Sequence, residues 1–153
     1  MIPLDDAQTR ELHKTRLIAV AMLIVAPVIY LAIAFFWLQT GEPIAAEADL
    51  AFYIMIIVAA LSPLFLPIIE KTQRRNFQQQ SNSTMSASQM FTITTLTKLA
   101  FVESSHIMGL VIFLVSGDLW RMLVFYAIGI CWSFVHWPSE ENFRRFLQKS
   151  EVT

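Results

Sequence analysis

Apolar positions along this chain gather into four long runs, without the half-polar alternation of a water-soluble fold. No charged residue lies between Arg16 and Glu42, within 50–69, or from Met122 to Ser139. A run of about 20 apolar residues matches the roughly 30 Å hydrocarbon core of a bilayer. The pattern therefore predicts membrane-spanning helices over 17–38, 50–69, 91–116 and 119–136. The third run differs from the rest: it opens with the threonine-rich FTITTLT and holds Lys98, Glu103 and His106 inside it.

The polar intervals set the connections. QTGEPIAAEAD, with its Gly and Pro, joins the first two spans, and the short SGD makes the last two antiparallel neighbours. Between these hairpins, residues 71–89 (KTQRRNFQQQSNSTMSASQ) are rich in Gln and Ser and predict a flexible linker. Pro27 in the first span, and Pro63 and Pro67 in the second, remove backbone donors and favour bends. At the start, Asp5 and Gln8 have the spacing of a capping box, for a helix that runs on into the first span. At the end, 139–149 place Phe143, Phe146 and Leu147 on one helical face, as in an amphipathic helix lying among headgroups with Trp137 at the boundary. The expected fold is all-α: one integral membrane domain over 1–153, a four-helix bundle of two antiparallel hairpins with interfacial helices at both ends.

Composition supports this reading. The chain is 56% hydrophobic and 15% charged, with a mean hydropathy of +0.54; globular domains have about 45–50% apolar and about 25% charged residues. As a soluble helical globule it would lack the surface to cover four such runs. The first run exceeds the roughly 7–15 apolar residues of a signal peptide and has no suitable cleavage pattern, so it reads as a permanent span. Cys131 stands alone within the fourth run, which excludes an internal disulfide and makes it a small packing residue.

Charge gives orientation. Arg10, Lys14 and Arg16 precede the first span, Lys71, Arg74 and Arg75 follow the second, and Arg144, Arg145 and Lys149 follow the fourth. Arg121 is the one cation on the other side, beside Glu42, Glu47, Asp49 and Asp118. The positive-inside rule puts both termini and the central linker in the cytoplasm, for a multi-pass protein of the cell inner (plasma) membrane. Arg74, Arg75, Trp137, Arg144 and Arg145 are then lipid-interface residues. Two arginines next to a span do not indicate nucleic acid. The expected partners are the bilayer and other membrane subunits or further copies of the chain.

The chemistry, if any, sits in the third span. Glu103 falls near its middle, where an ionisable residue costs roughly +2.5 to +3.5 kcal/mol. His106, three residues on, shares its face and can touch it. Leu96, Leu99, Ile107, Leu110 and Leu114 complete that stripe. Lys98 lies about 140° round the helix from Glu103 and is free to snorkel to the headgroups. Ser105 and Gly109 form a small-xxx-small notch for close approach of another helix or subunit. Three uses of the pair stay open: a hydrogen-bonded structural link, an H+ or Na+ carrier on Glu103, or a redox site with His106 on haem or the pair on quinone. A bis-His haem within the chain is disfavoured, because His13 and His136 lie at other depths.

The stretch LAFVESSHIMGLVIFL resembles the carboxylate-bearing helix of rotary ATPase proteolipids (c subunits), in which a Glu precedes Gly-Leu-Val by six residues. The resemblance covers this stretch alone and implies ion binding at Glu103 with Gly109 as a packing position. Four Gly in the whole chain and a long linker depart from the glycine-rich faces and short loops of that family. The pattern is also similar to that of small bacterial four-helix membrane proteins, which implies no activity. No metal spacing, phosphate loop, nucleophile motif or cofactor signature is present. Ser104 and Ser105 adjoin the pair, but adjacent helical residues point in different directions and do not assemble a catalytic triad. The sequence thus leads to a non-catalytic membrane subunit or scaffold.

Overall fold

A computed structural model of the protein describes residues 4–41, 49–79 and 86–151, and among these all regular structure is helical. The helices are α1 (Asp6–Val20), α2 (Ala26–Thr40), α3 (Asp49–Leu61), α4 (Leu66–Gln79), α5 (Ala87–Ser116), α6 (Leu119–His136) and α7 (Glu140–Glu151). Four helical stretches are long and apolar enough to cross a membrane: Asp6–Thr40, Asp49–Gln73, Ala87–Ser116 and Leu119–His136. Most of the first interhelical loop, 42–48, and the middle of the linker, 80–85, lie outside the described residues.

The first stretch begins on the expected cap. Asp5 Oδ1 accepts from Gln8 N at 2.7 Å, and Asp5 N donates to Gln8 Oε1 at 3.2 Å. These bonds satisfy donors that no helical turn can reach. α1 and α2 are continuous through a π-helical turn at Ala21–Val25, just before Pro27. Widening that turn accommodates a proline whose ring would otherwise meet the carbonyl four residues back.

The second stretch shows how LSPLFLP is tolerated. Pro63 and Pro67 each lack an N–H, which deprives the carbonyls of Ala59 and Pro63 of their helical donors. The chain tightens to a 3-10 turn over Ser62–Phe65. Ser62 Oγ donates to Ala59 O at 3.1 Å, and the Leu66 N–H donates to Pro63 O. Both orphaned carbonyls therefore regain a partner.

Two features correct the expected linker. Helix α4 carries the chain as a helix to Gln79, and α5 starts at Ala87 on a second capping box, in which Ser86 N donates to Gln89 Oε1 at 3.0 Å. Residues 71–79 and 87–89 are thus helical, because Gln, Lys and Arg are good helix formers once an apolar helix precedes them.

Helix α5 packs against α1, α2, α3, α4, α6 and α7. Gly117 (φ 70°) ends it in the left-handed region that only glycine enters without strain, and Asp118 caps α6 by accepting from Trp120 N at 2.9 Å. This two-residue turn lays α6 back along α5.

Two threonines of α5, Thr92 and Thr97, serve as interhelical links. Thr92 meets Thr15 of α1 at 2.8 Å, and Thr97 accepts from Gln73 of α4 at 3.0 Å. Lys98 does not simply snorkel; its Nζ pairs with Glu70 of α4 at 2.6 Å. At the opposite end Arg121 of α6 reaches Asp49 of α3 at 2.5 Å, Asp118 at 3.2 Å, and the Phe52 ring.

The tail also departs from expectation. Phe143 and Phe146 of α7 are buried against Phe91 and Leu12, with Phe91–Phe143 ring centroids 4.8 Å apart, so its apolar face is covered by the protein itself. Large apolar side chains on the other helices face outward, among them Phe35, Phe36, Leu50, Ile68 and Phe134.

Candidate functional site

Burial of α5 selects the residues that need explanation. Glu103 is 7% exposed and His106 1%, the most buried ionisable pair among the described residues. One helical turn apart, they share a hydrogen bond of 3.2 Å between His106 Nδ1 and Glu103 Oε2. Placing the acceptor three residues before the ring brings the two groups together within one helix, without help from a neighbour.

What surrounds the pair comes from α6 and α2. Met122, Phe125, Tyr126 and Gly129 form the buried face of α6. Tyr126 meets the imidazole edge to face, with centroids 5.0 Å apart and planes at 66°. Its hydroxyl donates to the Pro27 carbonyl at 3.0 Å, tying the pair's neighbour to the start of α2. Gly129 lies under His106, and a β-carbon there would collide with Nε2, Cε1 and Cδ2 of the ring. Tyr30 of α2 comes near enough to interact with the Glu103 carboxyl but not within hydrogen-bond geometry, so Glu103 Oε1 and His106 Nε2 are buried without a hydrogen-bond partner.

The notch expected at Ser105 and Gly109 is present and occupied. Both residues are buried, and a β-carbon at Gly109 would come within 2.9 Å of Phe125 Cβ and 3.1 Å of Met122 O. It therefore seats α6 of the same chain. Leu99 is buried on the expected stripe, but Ile107 is 45% exposed. It points outward because the covered face of α5 is rotated from that stripe toward Val102, Ser105, Gly109 and Ile112, which are buried. Ser104 Oγ donates to Phe101 O at 2.6 Å and is turned away from the imidazole. Cys131 is exposed on the outer side of α6 rather than packed inside.

The geometry bears on cofactors. Haem iron would need a free imidazole nitrogen with open space before it. Here Nδ1 is held by Glu103 and Nε2 abuts Gly129, so the pair does not fit haem without separating α5 from α6. Among the described residues no group of three or more His, Cys, Asp or Glu is placed to hold a metal ion.

The residues expected at the lipid interface fall into two kinds. Arg144 pairs with Glu140 at 2.5 Å and Arg145 with Glu141, both within α7. Arg75 is exposed on α4, Trp137 follows the end of α6, and the side chain of Arg74 lies outside the described residues.

Sequence reasoning missed Tyr126, Gly129 and Tyr30. A usable signal existed: residues 122, 125, 126 and 129 have the spacing of a buried helical face, and a glycine inside that face marks a close approach. The chain matches no protein family model, no curated protein and no solved structure.

Proposed function

We propose that this protein is a four-span helical bundle of the cell inner membrane, with both termini cytoplasmic, acting as a non-catalytic subunit or scaffold within a larger membrane assembly. The observation that carries the reading is the closed Glu103–His106 pair, bonded within α5 and walled by Tyr126 and Gly129 of α6. An imidazole so enclosed, with the small residue Gly129 seated on it, fixes how α5 and α6 register against each other, as small residues do where helices approach closely. The outward apolar side chains supply a surface for lipid and neighbouring subunits, and ion pairs gather toward the helix ends.

The test is purification of the native protein from its membrane in mild detergent. A stable hetero-complex supports the subunit reading, and a homogeneous ring of this chain alone overturns it.

A second reading, an H+ or Na+ carrier on Glu103 like that of the proteolipids, draws on the unpartnered Glu103 Oε1. Its test is labelling by dicyclohexylcarbodiimide in native membranes. Modification of Glu103, with ion flux lost in Glu103→Gln, would favour the carrier over the scaffold.

A further inference from the structure

A second polar site lies at the other end of α5, where the basic segments gather. The end of α6, the first turns of α7, α4 and α5 enclose a cleft of about 320 Å³. That volume is at the small end for ligand sites, about 300–1,000 Å³, and suits a headgroup rather than a whole lipid. Two cations, Lys98 and Arg145, border it; Lys98 is paired with Glu70 at 2.6 Å in its wall, and Arg145 with Glu141. Two polar atoms in its wall are buried without a hydrogen-bond partner: Thr94 Oγ1, on a residue only 3% exposed, and Nε2 of the half-buried His136. His136 is held in place by stacking on Trp132, with centroids 5.8 Å apart and planes at 9°.

Buried polar atoms of this kind are ordinarily satisfied by protein or by something bound. Thr94 is a particular case, because a helical threonine usually donates to its own preceding turn, as Thr92 and Thr97 do to Ser88 O and Ile93 O. The cleft is also lined by Val135, which is 61% exposed and continues into the outward Phe134. Its polar interior therefore opens beside the apolar outer surface of α6. A ligand that fills the interior and leaves along that surface is an amphiphile with a compact, multiply accepting head.

We infer that this cleft binds the phosphate head of a membrane phospholipid, with Thr94 and His136 donating to phosphate oxygens, Lys98 and Arg145 supplying charge, and the acyl chains following Val135 and Phe134. The inference rests on the membrane reading above. Basic pockets at the ends of membrane helices hold lipid headgroups in this way, and phosphate offers enough acceptors for all four groups at once. Glu70 keeps Lys98 neutralised when the cleft is empty.

The experiment uses the full chain. Protein extracted in mild detergent is analysed by native mass spectrometry for retained phospholipid, alongside Thr94→Val and Arg145→Gln. Thr94→Val keeps the side-chain shape and removes only the unpartnered hydroxyl, and Arg145→Gln alters an exposed pair, so both variants fold. Resistance of every variant to alkaline extraction from membranes reports the membrane reading separately. The expected result is one phospholipid per chain, with retention falling at least tenfold in each variant. Retention in either variant within threefold of the parent, or none by the parent together with no thermal protection by inorganic phosphate, overturns the site. Thermal protection by millimolar inorganic phosphate without any retained lipid overturns the lipid assignment in favour of soluble phosphate.

Discussion

The His106 imidazole rests against the backbone of Gly129, so close that no β-carbon fits between α5 and α6 at that level. At Gly129, therefore, a better helix former should do harm. Alanine gains about 1 kcal/mol over glycine in an isolated helix, while forcing a methyl into a packed site costs typically about 1–3 kcal/mol. Gly129→Ala is expected to lower the thermal midpoint in detergent, and His106→Ala in the same chain to restore part of it. A midpoint raised by Gly129→Ala alone would show that the ring does not sit there.

The pair itself was legible from spacing, because the i,i+3 relation of Glu103 and His106 is a property of one helix. Its walls were not. Which face of α6 meets His106 depends on the turn geometry at Gly117, and on the small residues Ser105 and Gly109 drawing α6 inward. The four apolar runs were readable because each is long and nearly free of charge, and 119–136 matches α6 residue for residue. The linker was misread because composition reports polarity, whereas the helix over 66–79 is propagated from an already formed apolar segment. The tail was legible as an amphipathic helix, but not what covers its apolar face. An amphipathic face announces that it needs cover, and Phe91, on a distant segment, supplies it.

Glu103→Gln and Glu103→Leu should separate. The amide keeps a partner for His106 Nδ1, so stability in detergent is expected to stay within about 1 kcal/mol of the parent. Leucine leaves that nitrogen buried and unbonded, at a cost of about 1–3 kcal/mol. Equal behaviour of the two variants in detergent unfolding would mean that the bond contributes nothing to packing.

Gly117→Ala tests the turn between α5 and α6. Its φ of 70° lies where a β-carbon meets the following carbonyl, a penalty of about 1–2 kcal/mol. Asparagine tolerates the region better, so Gly117→Asn is expected to lose less than Gly117→Ala. Thermal midpoints falling in the reverse order would contradict the left-handed cap.

In LSPLFLP, Ser62 is the replacement donor for a carbonyl that Pro63 leaves open. Ser62→Ala should therefore destabilise the second span by about 1 kcal/mol, the net value of one such bond. Adding Pro63→Ala returns a backbone N–H to the same carbonyl, so the double variant is expected to recover. Failure of Pro63→Ala to rescue would show that the two residues act independently.

The ion pairs should rank by burial. Lys98–Glu70 has side chains 26% and 27% exposed, whereas Arg145–Glu141 has 66% and 67%. Exposed pairs contribute about 0–1 kcal/mol and are screened by salt. A double-mutant cycle on Arg145 and Glu141 is thus expected to give a coupling near zero that vanishes in high salt. The same cycle on Lys98 and Glu70, in delipidated protein, should give more than about 1 kcal/mol, above the exposed range. Exchange of the two charges, Glu70→Lys with Lys98→Glu, retains the attraction and should recover most of the loss of either single change. This contact joins the helical extension α4 to α5, so a coupling indistinguishable from zero would leave α4 held to α5 by Gln73 and Thr97 and by packing, and not by charge.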